Sequence, residues 1–274
     1  MAERSATSIR ARVRAEMTEE IKTVARRHLA ADGANLSLRA VARDMGMVSS
    51  AVYRYFASRD ELLTALIVDA YNAMGEAAEA ADAAVTDRAD LPGRWLAVAH
   101  ALRDWSLARP HEYALIYGSP VPGYAAPEDT IGPATRPVLV LGSILADAHA
   151  AGRLAAPDPA AADSAPLRTG TGAAPVAADG PALPPVLRTG PVAADGAALP
   201  PALRTEIGRI AELVAGGIDE RIMARGLIAW TAVFGALSFE LFGRFNNVFD
   251  ERTAWFDHQM RTLLPFIGIR LDRS

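Results

Sequence analysis

Ser49, Ser50, Tyr53 and Arg54 gather polar chemistry on one side of a short helical pattern. At about 100° per residue, Val48, Ala51, Val52 and Tyr55 take the other side. Two hydroxyls, a phenol and a guanidinium on a free helix face suit phosphate oxygens and the hydrogen-bonding edges of bases. Position argues for base or backbone contact at Ser49, Ser50 and Arg54 without saying which base is read. Slightly upstream, Ser37 and Arg39 open another short pattern. They suit a phosphate at a helix N-terminus, and equally an ordinary solvated cap and charge.

The elements that must position these groups follow from the spacing around them. Leu38, Val41, Ala42 and Met45 fall at i, i+3, i+4 and i+7, one apolar stripe on a short helix capped by Ser37. Gly46 supplies a residue that tolerates a left-handed backbone at the helix end. A second helix starts at Val48, which makes the pair a helix-turn-helix with the second helix as reader. Tyr55 and Phe56 pack its core. A first helix, Thr18 to Ala31, contributes Met17, Ile21, Val24, Ala25 and Leu29, with Thr18 as N-cap ahead of Glu19 and Glu20. Ser58 and Glu61 form a capping box for a long helix expected to run to about Ala80, the mechanical link from the reader to the rest of the chain.

The run from Thr18 through Ser37–Gly46 to Val52-Tyr53-Arg54-Tyr55-Phe56 and Ser58-Arg59-Asp60-Glu61-Leu62-Leu63 resembles the DNA-binding domain of the TetR/AcrR family of bacterial repressors. Tyr53, Phe56, Ser58 and Leu62 match that family's signature, with Arg59 where Lys is usual. Val48 stands where the family usually has a capping Ser, which leaves Ser49 to cap the reader helix. The resemblance implies phosphate contacts at Tyr53 and Arg59. It also implies a homodimer on a near-palindromic double-stranded operator, and a small apolar or amphipathic effector in a central helical cavity that moves the long helix on binding. Trp230-x-x-x-Phe234-Gly235 looks like the Trp-x-x-x-His-Gly pattern of one C-terminal class in this family. Phe234 replaces the His, so no polar role carries over.

Charge is divided to match. The chain holds 28 Lys+Arg against 32 Asp+Glu, a net charge of −4, yet residues 1–60 alone carry 11 against 7. The basic end lies where the helix-turn-helix lies, and the acidic remainder is held off phosphates. With no Cys, disulfides, thiol catalysis and thiolate metal sites are excluded. No apolar leader opens the sequence. The longest uncharged helical run, Gly226 to Phe239, has 14 residues, below the roughly 18 of a membrane span. A cytoplasmic protein with no membrane partner is expected.

The organisation read from the chain is all-α. Residues 1–14, with Arg4, Arg10, Arg12 and Arg14, read as a flexible arm, either a free tail or a DNA-following segment. Residues 15–62 form the helix-turn-helix domain, and 63–274 a larger helical effector-binding and dimerisation domain. Helices are expected over Asp90–Ala108, His111–Tyr117, Ala134–Ala151 with Pro137 in the first turn, Leu203–Ala215, Asp219 to about Phe245, and from Asp250 on. Residues 119–133 read as a loop. An insertion at 153–202 carries two sixteen-residue repeats, 175–190 and 191–206, identical at 13 of 16 positions. With its prolines it reads as an expanded loop, disordered or extended.

For the cavity, Trp95, His100, Trp105, Tyr113, Tyr117 and Tyr124 are the candidate lining, although most aromatics there simply fill a core. His100 with Asp104 makes too weak a pair for a metal site, so neither metal nor cofactor is expected. The helix from Asp219 is apolar nearly all round, and with the last helix offers Trp230, Phe234, Leu237, Leu241, Trp255 and Leu263 as candidate dimer contacts. Two rivals to a regulator remain: a ligand-independent architectural DNA-binding protein with a filled core, and an α-helical enzyme. The latter lacks clustered carboxylates or metal-ligand spacing, so no catalytic residue is assigned.

Overall fold

The computed structural model describes residues 2–32, 36–154, 199–216 and 218–269. In chain order the helices are α1 (Ala2–Asp32), α2 (Leu38–Asp44), α3 (Ser49–Val52), α4 (Arg59–Ala84), α5 (Leu91–Ala108), α6 (Pro110–Tyr117), α7 (Ile131–Ala150), α8 (Pro201–Ala215), α9 (Glu220–Leu241) and α10 (Arg252–Phe266). A 3-10 turn, Glu128–Thr130, leads into α7, and Leu154 forms an isolated bridge with Ile269. The fold is all-α. Except for 199–206, the sixteen-residue repeats lie outside the described residues.

Two apolar cores organise the helices. In the first, Ile21, Val24 and Leu29 of α1 meet Leu38 and Val41 of α2, Val52 of α3, Phe56, and Leu62, Leu63 and Leu66 at the start of α4. The second fills the space between α4, α5, α7, α9 and α10. Helix α4 runs through both, so the long helix does join the helix-turn-helix to the body.

Capping fixes several boundaries. The Ser37 hydroxyl accepts from the Ala40 N–H at 3.4 Å and Gly46 takes φ +65° after α2. The Ser58 hydroxyl accepts from the Glu61 N–H at 3.0 Å, while the Glu61 carboxylate accepts from the Ala57 N–H, one residue outside the usual box. Asp90 caps α5 through the Gly93 N–H at 2.8 Å.

Other boundaries differ from the sequence expectation, each for a local reason. Helix α1 begins at Ala2, not Thr18, so the N-terminal arm is helical from its second residue. No Gly or Pro interrupts residues 2–17, and the Thr18 hydroxyl donates back to the Arg14 carbonyl at 2.9 Å, a bond within the helix instead of a cap. Ser49 is the first residue of α3 and does not cap it; Val48 holds the N-cap position without a side-chain bond. Its extended backbone takes its side chain off the inner face, and it is 72% exposed. Helix α4 continues past Ala80 to Ala84 through an alanine-rich stretch.

Helix α7 starts at Ile131, which moves Pro137 out of the first turn into the helix interior, where it is buried. Helix α8 opens at Pro201, because a proline at the first helical position lacks only an N–H that would go unpaired anyway. Helix α9 stops at Leu241, ahead of Gly243 and Asn247, which take φ +72° and +61°. Helix α10 begins at Arg252 rather than Asp250. By length and composition alone, α9 is apolar enough to cross a membrane, contrary to the estimate from its uncharged run; a third of that apolar window is buried against the chain (33%).

Polar ties lock the body. Arg103 makes a two-pronged bond to Glu240, at 2.6 and 2.8 Å, joining α5 to α9 in a buried setting. Arg94, 1% exposed, reaches Asp82 and Asp147, each at 2.7 Å, and so joins α5 to α4 and α7. The Trp95 indole donates to the Met260 carbonyl at 3.1 Å, from α5 to α10.

Candidate functional site

The polar residues of the helix-turn-helix are held on its outer side by the apolar ones beneath. Val52 and Phe56 are buried and Tyr55 packs against that core, which leaves Tyr53, 44% exposed, and Arg54 outside. Ser37, Arg39 and Ser50 are exposed as well, and Ser49 is half-buried. Arg59 is more engaged: its Nε donates to the Leu36 carbonyl at 3.1 Å, bracing the approach to α2, and Asp60 lies 3.5 Å away.

Arg14 has another task. Its guanidinium donates to the Arg54 carbonyl at 3.0 Å and lies 5.2 Å over the Tyr55 ring, which pins α1 to the end of the reader. Arg10 and Arg12 are exposed on the same helix. Deeper in, Lys22 and Arg26 meet Asp69 of α4 at 2.8 and 2.6 Å. Burial alone would lower the Lys22 ammonium's pKa, but bonds to Asp69 and Glu19 raise it above its ordinary value.

The second feature is a cavity of about 960 Å³. Its wall comes from α4 (Ile67, Tyr71), α6 (Ile116, Tyr117), the loop at 118–126, α7 (Ala134, Val138), α8 (Ile210, Val214) and Trp230 of α9. Tyr71 donates to the Ile116 carbonyl at 3.3 Å, and its ring stands edge-on to Tyr117 at 6.0 Å. Burial raises the pKa of both phenols, helped at Tyr117 by Tyr71 and Tyr113, so the wall is uncharged at physiological pH.

Of the six lining residues expected from sequence, Tyr117 and Tyr124 stand on the wall of this cavity. The other four do not. Trp95 and Trp105 are buried in the body core. Tyr113 is fully buried and bonds to the Phe234 carbonyl at 3.0 Å and the Ser238 hydroxyl at 2.8 Å. His100 pairs with Asp257 of α10 at 3.1 Å, not with Asp104. Among the described residues no three His, Asp or Glu side chains gather in metal-binding range.

Sequence reasoning missed Ile67 and Tyr71. Their i, i+4 spacing on α4, continuing from Thr64, was a usable signal. It also missed the link between cavity and reader. Val121, in the loop that forms part of the cavity wall, is buried in the helix-turn-helix core, with Leu115 and Tyr124 packed against it. The Tyr124 hydroxyl meets the Thr64 hydroxyl, near the start of α4, at 2.9 Å.

The dimer candidates divide similarly. Phe234 and Leu237 are buried within their own chain, 7% and 1% exposed, because α9 turns that stripe toward Tyr113 and Tyr117. Trp230 lines the cavity, Trp255 stacks on Phe249 at 4.4 Å, and Leu241 and Leu263 are partly buried against the body core. The apolar residues that α9 and its C-cap leave outside are Ile228, Phe239 and Phe242, each about half exposed (53%, 53% and 47%).

Two family models match the chain. Residues 21–66 match the family described as bacterial regulatory proteins, tetR family, and residues 95–263 match a tetracyclin repressor-like C-terminal domain. The chain is 34% identical over 268 residues to the HTH-type transcriptional regulator Rv1816 of Mycobacterium tuberculosis, covering 93% of this chain and 94% of that one. The regulator Mb1846 of Mycobacterium bovis matches to the same extent. A crystal structure described as that of a regulatory protein, SCO4313, superposes with a TM-score of 0.65 at 30% identity, over 93% of this chain and 98% of the other. A tetR-family regulatory protein from Rhodococcus RHA1, 13% identical, shares the fold with a TM-score of 0.56 over 93% and 98% of the two chains.

Proposed function

Because the chain belongs to the tetR family of bacterial regulatory proteins and is a DNA-binding transcriptional regulator, we propose that it is a cytoplasmic homodimeric repressor released from a near-palindromic operator by a small effector bound in the 960 Å³ cavity. Two α3 helices occupy successive major grooves, about one helical turn apart. Tyr53, Arg39, Ser37 and Arg59 hold phosphates, and Ser49, Ser50 and Arg54 face bases or backbone. Arg10 and Arg12, on the N-terminal part of α1, extend this contact along the DNA.

One observation carries the effector reading: the loop at 118–126 forms cavity wall on one side and helix-turn-helix core on the other, through Val121 and the Tyr124–Thr64 bond. An effector that displaces this loop shifts the start of α4 and with it the spacing of the two readers. It acts only as far as it prefers the DNA-incompetent arrangement, and a coupling of about 1–3 kcal/mol suffices for a 5–150-fold change. The cavity supports this regulator over an architectural protein with a filled core.

Selection of bound sequences from a random duplex pool should return a two-fold symmetric site. Recovery of no motif would overturn sequence-specific binding. Compounds that raise the melting temperature of the purified protein should lower its affinity for the selected duplex, and Tyr124→Phe should blunt that effect. Compounds that bind in the cavity yet leave the affinity unchanged would overturn the effector reading.

A further inference from the structure

The wall of the cavity is formed by 21 residues, none of them Asp, Glu, Lys, Arg or His among the described residues. The nearest cation on α7, Arg136, is turned to the other side of the helix pair, held by Glu79 at 2.8 Å and by Asn72 at 2.8 Å. Three of the six hydroxyls on the wall have also spent their protons. Tyr71 donates to the Ile116 carbonyl, Thr130 to the Pro127 carbonyl and Thr135 to the Gly132 carbonyl. These three still offer a ligand lone pairs, and the Ser119 and Tyr117 hydroxyls and the Trp230 indole, which has no partner among the described residues, remain as neutral donors.

Such a wall discriminates by charge. An ion leaving water loses hydration that only a counter-ion or several aimed dipoles can replace. A carboxylate, sulfonate or phosphate finds no cation on these side chains, only the few neutral donors of Ser119, Tyr117 and Trp230, which do not replace a counter-ion. A cation finds no carboxylate and is left with the faces of Tyr71, Tyr117, Tyr124 and Trp230, a weaker substitute. An uncharged ligand loses little hydration and gains apolar and aromatic contact over most of its surface.

We propose that the cavity is selective for uncharged, predominantly apolar molecules and rejects anionic amphiphiles such as fatty acids or acyl thioesters of phosphorylated carriers. This rests on the reading of the cavity as the effector site, and its test is kept separate from DNA binding.

Matched fluorescent pairs measure it on the full-length protein. N-phenyl-1-naphthylamine and its sulfonated counterpart 8-anilino-1-naphthalenesulfonate share a ring system and differ in charge; diphenylhexatriene and its trimethylammonium derivative do the same for a cation. Each neutral probe is expected to bind at least tenfold more tightly than its charged partner. Ala134→Phe and Val138→Phe, which fill the cavity from α7, should each weaken the neutral probes at least fivefold. Equal or tighter binding of the sulfonate or of the ammonium probe overturns the proposal, as does neutral-probe binding that neither substitution changes. If the neutral probes bind as expected but operator affinity stays constant when they do, the ligand class stands and the effector reading fails.

Discussion

At Arg59 the guanidinium spends its Nε on the Leu36 carbonyl, so its loss acts in two ways. Arg59→Ala should weaken binding to every duplex and also lower stability by about 1–2 kcal/mol, the cost of removing a hydrogen bond to a charged group. Arg39 and Arg54 are exposed, and their side chains carry no such brace. Arg39→Ala and Arg54→Ala should leave the melting temperature unchanged, weaken binding, and each lower the slope of log affinity against log salt by about 0.9 for a lost phosphate contact. At Arg54 a changed base preference would instead mark contact with a base edge. Anisotropy titrations on one selected duplex at several salt concentrations, beside thermal melts, separate these outcomes. An Arg59→Ala protein with unaltered affinity and stability would remove both roles. These three arginines show what sequence carries and what it does not. Cations near a reader helix are legible, but which of them is tied to a carbonyl depends on how the loop before α2 folds back.

Helices were legible where a cap and a stripe coincided at Ser37 with Gly46, Ser58 with Glu61 and Asp90 with Pro110, but Thr18, beside an equally clear stripe, lies inside α1 and caps nothing. They were misjudged where the stop signal was ambiguous, as with prolines at 133 and 201 that begin helices as readily as they end them. The cavity was half legible. Tyr117 and Tyr124 are close in sequence, whereas Tyr71, Val214 and Trp230 reach the same wall from helices far apart in the chain, a proximity no local pattern encodes. The ties between helices belong to this scale too. Arg94 links α5 to Asp82 of α4 and Asp147 of α7 from a nearly inaccessible position. Burial works against the Asp82 carboxylate, but bonds from Arg94 and Arg88 outweigh it and hold its pKa below the ordinary value. The folded state therefore takes up that proton less readily than the unfolded one. The resulting stability is complete above the unfolded value of about 3.9 and is lost as pH falls through the lower folded value. Asp82→Asn should flatten this acid limb in urea unfolding measured from pH 3 to 7. It should also cost about 3 kcal/mol at neutral pH, since Arg94 keeps its charge and only Asp147 as an ionic partner. A variant with the same acid limb as the wild type would show that Asp82 does not set it.

For the molecule as a whole, the question is what covers α9 and α10. Ile228, Gly235, Phe239 and Phe242 fall within roughly 60° of one another around α9, and the three large side chains are about half exposed. Alongside, α10 exposes Ala254, His258, Thr262 and Phe266 at four-residue intervals. A second copy presenting the same pair of helices would close a four-helix bundle, each face serving as its own complement across a two-fold axis. At Gly235 a Cβ would meet nothing within 4 Å, so that position is open for a partner helix to approach closely. Leu237 cannot test this interface: it is 1% exposed inside its own chain, and Leu237→Glu should unfold the body. Phe239→Glu and Ile228→Glu can, because each places a charge on a face that is exposed in one chain and would be buried in the proposed pair. Both variants should melt as monomers close to the wild-type temperature at low concentration, sediment as monomers at micromolar concentration, and bind a full operator about a hundredfold more weakly, since two half-sites no longer gain from being linked. Binding to an isolated half-site should be unchanged, because α3 packs on the other core and the residues proposed to hold phosphates stand on its outer side. Sedimentation showing the Phe239→Glu protein still dimeric would move the interface elsewhere, and a wild-type monomer that grips the full operator would eliminate it.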